Sequence, residues 1–180
     1  MSTASSSRPG WREMDPADRE SAWDRFEARY GFRASVDPSG WPAISEPTPS
    51  ITFDLSAIPS GPELVAAFAA VNAEALRCFV WALGDVDEFV VLDWQHTGWW
   101  FDPRLDDAPV QWDDVNRSQP TVFPDGDYFA FLSPDLSEGT FGHPWEQTLC
   151  VMGERLVGTL GRTLATWLPV VRVDDAITTP

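Results

Sequence analysis

From Leu64 onward, apolar side chains recur at Phe68, Val71, Ala75 and Phe79, the three-and-four spacing that gathers them on one face of a helix. Ser60 and Glu63 ahead of that run read as a capping box, Pro62 suits the first turn, and Gly84 stops the pattern. An earlier helix is predicted from Asp15, an N-cap followed by Pro16, to about Arg29, with Trp23, Phe26 and Tyr30 as its buried stripe and Gly31 as its end. A last helix is predicted over about Glu154 to Leu168, striped by Leu156, Leu160, Leu164 and Trp167 and closed by Pro169. Its Gly158 and Gly161 each cost about 1 kcal/mol against alanine, a cost offset where the helix backbone must approach a sheet closely.

Elsewhere the period drops to two. Ile51, Phe53 and Leu55 alternate with Thr52, Asp54 and Ser56, as in a half-buried strand. Phe89 to Leu92 is continuously apolar, which predicts a central strand covered on both faces. Thr97-Gly98 reads as a two-residue turn into Trp99, Trp100 and Phe101. That register sets His96 opposite Trp99 and Trp94 opposite Phe101, an aromatic wall with an imidazole at its rim. Tyr128 to Leu132 and Gln147 to Val151 are further strands, and Val170 to Val173 can add an edge strand. The expected fold class is α+β: an antiparallel or mixed β-sheet of about five strands with three main α-helices packed on it.

Residues 1–12 and 174–180 lack apolar pattern and are expected as disordered tails around a single domain at 13–173. The Pro-rich 34–50 segment is expected as an ordered surface loop pinned by Trp41. The Asp- and Pro-rich 103–122 segment is too long for a simple connector and reads as a lid-like loop or a mobile excursion.

Charge narrows the function classes. The 180 residues carry a formal charge of −16, which repels phosphate backbones and anionic lipid heads, so no nucleic-acid or membrane partner is expected. Such acidity serves solubility, or offers an acidic face to a basic protein. All basic residues are Arg; the absence of Lys removes Schiff-base chemistry and the phosphate-binding lysine of a P-loop. With no signal-like N-terminus, no segment approaching a membrane span, and Cys78 and Cys150 placed for apolar packing, a cytoplasmic, reduced setting is expected.

Candidate chemistry rests on two histidines, His96 at the hairpin tip and His143 inside Phe141-Gly142-His143-Pro144-Trp145-Glu146-Gln147. His143 could act as a general base oriented by Glu146 or Asp93, with Trp145 stacking on a planar ligand; alternatively both imidazoles simply bond main-chain groups at strand ends. Trp94, Trp99, Phe101, Trp145 and Tyr128 are the candidate ligand-binding residues. No metal is expected, since the ligand spacings of zinc sites are missing and Asp125-Gly126-Asp127 reads as a turn rather than a calcium loop. No Gly-x-Ser-x-Gly elbow or phosphate loop is present, and no cofactor is expected.

Four strings, Leu92-Asp93-Trp94-Gln95-His96, Phe101-Asp102-Pro103, Pro124-Asp125-Gly126-Asp127-Tyr128 and Gly139 through Val151, carry a resemblance to the bacterial domain of unknown function 2716 family. The resemblance spans roughly residues 20–170 and implies no activity and no catalytic residue. The sequence therefore suggests a cytosolic binding protein, immunity-like or regulatory, that recognises a cationic protein or a small ligand. The alternative is a small enzyme using His143 or His96 with a carboxylate on a small planar substrate.

Overall fold

The computed structural model describes residues 8–106 and 119–175. One eight-stranded sheet dominates it, ordered β1-β4-β3-β5-β6-β7-β2-β8, with every neighbouring pair antiparallel. Its strands are β1 (Trp11–Glu13), β2 (Ser50–Asp54), β3 (Phe89–Asp93), β4 (Gly98–Phe101), β5 (Phe129–Leu132), β6 (Gly139–His143), β7 (Thr148–Met152) and β8 (Val170–Asp174). The expected α+β class holds, but about five strands was too few. The sequence reading missed β1 and β6: β1 has three residues, too few to show alternation, and β6 is interrupted by Gly139 and Gly142. Trp11 and Arg12 belong to β1 and Asp174 to β8, so strands begin and end inside the segments expected as tails.

Alternation places the two cores. Phe89 and Val91 join Phe129, Phe131, Leu149 and Val151 against α2 (Pro62–Ala82) and the last helix. Val90, Leu92, Ala130, Leu132, Phe141 and Cys150 pack instead with Phe26 and Tyr30 of α1 (Pro16–Tyr30) and with Phe32 and Ile44. The central strand is thus covered on both faces, as its unbroken apolar run requires. Cys78 and Cys150 are buried free thiols.

Asp15 caps α1 by accepting from the Asp18 amide, and Gly31 ends the helix in the left-handed conformation. The capping box expected for α2 does not form; Gly61 is its N-cap and no side chain caps it. By length and composition α2 could also cross a membrane, contrary to the reading that no segment approaches that limit; here Ala67, Phe68, Val71, Ala75, Cys78 and Phe79 form a core-facing stripe.

The last helix starts as α3 (Glu154–Leu156), passes through a π-helical turn at Val157–Gly161 and continues as α4 (Arg162–Leu164). The buried Glu138 carboxylate accepts from the Arg155 and Leu156 amides at 3.0 Å each, capping this helix from outside. Gly161 does meet the sheet closely, since a Cβ there would lie 2.9 Å from Ile51 Cγ2; Gly158 faces open space. Trp167, expected in the buried stripe, lies past the end of α4 in the turn at residues 165–167 and is exposed, while Leu164 keeps its buried place. Of the 103–122 excursion, residues 107–118 lie outside the described residues, while Gln119 to Phe123 is buried.

Candidate functional site

The β3–β4 connection does not turn at Thr97-Gly98. Leu92 pairs with Gly98, Val91 with Trp99 and Phe89 with Phe101, so residues 93–97 leave the ladder. Trp94 therefore does not face Phe101, and His96 does not face Trp99. The cause is polar: the Asp93 carboxylate sits at the strand end and receives His96 Nδ1 at 2.8 Å, folding the chain over it. Gly98 serves packing instead, since a Cβ there would lie 2.6 Å from Met14 Sδ.

The longer loop divides the expected aromatic wall. Trp99 and Phe101 point into the α2-side core, where Trp11 stacks on Phe101 with 4.2 Å between centroids. Trp94, Tyr128 and Trp145 come together elsewhere, with ring centroids 4.9 to 6.2 Å apart. Trp94 is the exposed member.

Beside these rings stands a cluster that sequence reasoning missed. Asp127 lies two residues before the Phe129 that pairs with Asp93, so the ends of β3 and β5 bring the two carboxylates together. Asp93, His96 and Asp127 present ligand atoms all within 4.8 Å of one another, an arrangement that could hold a metal ion. No motif announces it because its members come from two connections 31 residues or more apart. Burial pushes both carboxyls above the ordinary aspartate value, against the hydrogen bonds they accept. The exposed His96 is raised by its bond to Asp93 and by that residue's charge.

His143 ends β6 just before the turn at residues 144–147 and is buried within a shell of rings: Trp41, Tyr128, Phe141 and Trp145. The Glu146 amide donates to its Nδ1 at 3.0 Å, so Nδ1 is an acceptor and the neutral ring carries its proton on Nε2. Nε2 faces the Tyr128 hydroxyl at 3.4 Å, and that hydroxyl donates to the Ser35 carbonyl at 2.8 Å. Burial holds the His143 pKa down to about 4.

Neither carboxylate expected to orient His143 does so. Asp93 serves His96, while Glu146 accepts from Arg172 at 2.6 and 3.0 Å and from Thr148 at 2.8 Å. Burial favours the neutral form of Glu146, but these bonds outweigh it and hold its carboxyl below the usual glutamate range. Arg172 also pairs with Glu46, tying β8 to the loop before β2. The sequence signal for this tie was a lone Arg among the valines of the predicted edge strand. Trp41 pins its loop as expected, its indole N–H reaching the Ser35 carbonyl at 3.2 Å.

With this geometry in view, the chain matches the family described as "Protein of unknown function (DUF2716)" over residues 13–157, and it belongs to that family. Among its relatives is "Uncharacterized protein YxiI" of Bacillus subtilis (strain 168), 27% identical over 151 residues that cover 82% of this chain and 90% of the relative. No solved structure matches the chain.

Proposed function

We propose that the protein is a non-catalytic binding protein, immunity-like or regulatory, acting in the cytoplasm, whose acidic and aromatic sheet end recognises a cationic group on a basic protein or a small ligand. One observation carries this reading: two buried carboxylates, Asp93 and Asp127, face the exposed His96 imidazole at 2.8 and 3.8 Å, beside Trp94, Tyr128 and Trp145. A guanidinium or ammonium entering there would gain paired charge and a ring face together. Three of the four strings that carry the family resemblance, those holding Asp93, Asp127 and His143, supply the residues of this region. The chain's charge of −16 would draw such a partner in and make its capture salt-dependent. Calorimetric titration with an octa-arginine peptide at low and at physiological salt tests the reading. Saturable binding that weakens with salt and is lost in Asp127→Asn supports it; binding indifferent to both overturns it.

A second reading rests on the His96–Asp93 contact at 2.8 Å, the dyad a general base requires. In that reading His96, not His143, performs acid–base chemistry on a small planar substrate. Turnover with a pH profile that disappears in His96→Ala would favour it over the binder.

A further inference from the structure

We propose that Asp93, His96 and Asp127 form a site for one divalent transition-metal ion of the zinc type, an inference that rests on the reading of this sheet end as a cation site and names a second cation for it. Asp93 comes from the end of β3, His96 from the loop that follows, and Asp127 from just before β5. Their ligand atoms all lie within 4.8 Å of one another, with His96 Nδ1 at 2.8 Å from Asp93 Oδ1 and 3.8 Å from Asp127 Oδ2. Carboxylate and imidazole donors stand about 2.0–2.2 Å from such an ion, which spaces neighbouring donors by about 3.0–3.4 Å and opposite ones by about 4.2 Å. The three donors therefore stand within about 1 Å of a coordination shell, with further positions open to water or to a group from a partner.

Charge matching elsewhere in the molecule points to an ion here. Glu46 and Glu146 both receive the Arg172 guanidinium, and the buried Glu138 receives two main-chain amides with Arg155 at 3.5 Å. Asp93 and Asp127 are buried as well, yet among the described residues no arginine pairs with either. Arg19 reaches the same loop but donates to the His96 carbonyl at 2.9 Å. Two carboxylates held together away from water are costly unless cations offset them, and one imidazole brings at most a single charge. A divalent ion brings two and takes an oxygen from each acid. The donors are also oriented: the Tyr128 amide holds Asp127 Oδ1 at 2.7 Å, which leaves Oδ2 as the oxygen turned toward His96. Such outer support is what ligating carboxylates require. A nitrogen among the donors favours a zinc-type ion over magnesium, which is bound through oxygen.

Calorimetric titration of the untagged, metal-free full chain with zinc chloride at neutral pH tests the proposal, with magnesium chloride as the control. One zinc should bind per chain, and magnesium at least about tenfold more weakly. His96→Ala and Asp127→Asn, each confirmed as folded by circular dichroism, should weaken zinc by about a hundredfold or more, beyond the roughly tenfold to hundredfold loss from removing a group that only orients a ligand. Asp24→Asn, which takes an exposed charge from α1, should leave zinc binding unchanged. Where octa-arginine binds, zinc should displace it, because both need the same two carboxylates. Octa-arginine binding without zinc binding would overturn the metal site and leave the partner reading standing; zinc binding without octa-arginine would support the metal site and remove the partner. Zinc held as tightly in His96→Ala or Asp127→Asn as in the unmodified chain, or equally weakened in Asp24→Asn, would overturn the proposal.

Discussion

Around His143 every polar atom is matched: Nδ1 accepts from the Glu146 amide, Nε2 meets Tyr128, and Tyr128 reaches on to Ser35. The β3–β4 loop holds the chain's other histidine under opposite conditions. His96 lies open to solvent and is bound to one carboxylate at 2.8 Å, with a second at 3.8 Å. Burial drives the first imidazole to stay neutral, and acidic neighbours draw the second toward its charged form. The same side chain is therefore a neutral, packed brace in one region and an exposed ring drawn toward its charged form in the other. The binding reading is placed on the second region because a ligand there would displace water and one exposed ring, not a packed network.

His143→Ala should have the largest effect. The substitution strips the partner from the Glu146 amide and opens a void among Trp41, Tyr128, Phe141 and Trp145. The unmatched donor alone costs about 1–3 kcal/mol, and the void adds to it. Denaturant unfolding should show that loss, whereas His96→Ala, which takes a partner from the buried Asp93 carboxylate but opens no void, should lose less. Equal losses at the two positions would erase the distinction drawn here.

Acid should act through the same residue. His143 titrates near its ordinary 6.5 when unfolded and at about 4 when folded, so between those values the unfolded chain binds the extra proton. Stability then falls as pH drops from 6.5 toward 4, by about 3 kcal/mol if His143 acts alone. Unfolding midpoints measured across that window should slope downward toward acid, and His143→Gln should flatten the slope. A slope unchanged by the substitution would place the acid sensitivity elsewhere.

How much of this was visible in the sequence follows from range. Asp15, Gly31 and the stripe from Phe68 to Phe79 are local signals, and they marked α1 and α2 correctly because capping and helical period act within a few residues. The string around His143 was likewise readable as an imidazole bonding main chain at a strand end. What was not readable depends on pairing between distant segments. The Asp93–Asp127 approach needs the β3–β5 register, and the Trp94–Trp145 contact needs two loops to meet. The misplaced turn shows the same limit: Thr97-Gly98 has hairpin composition, yet the bond from His96 to Asp93 and the packing of Gly98 against Met14 set a longer loop.

The smallest effect expected, and the one that most directly joins the two regions to function, concerns Asp127→Asn. Asp127 is buried and its carboxyl is pushed upward chiefly by loss of hydration, while its Oδ1 accepts from the Tyr128 amide at 2.7 Å. Asparagine keeps that acceptor and removes the charge. For an acid whose folded pKa is raised, the favourable contribution is complete below the unfolded pKa and disappears as pH rises through the folded one. At neutral pH the ionised Asp127 thus opposes folding, and the substitution should raise the melting temperature slightly, with the difference from the unmodified chain shrinking as pH is lowered. A cationic ligand needs that charge, so the stabilised variant should at once lose its binding of octa-arginine. A variant that melts lower at neutral pH would mean that the carboxylate earns its place through folding, and the acidic cluster would lose its claim to be a binding site.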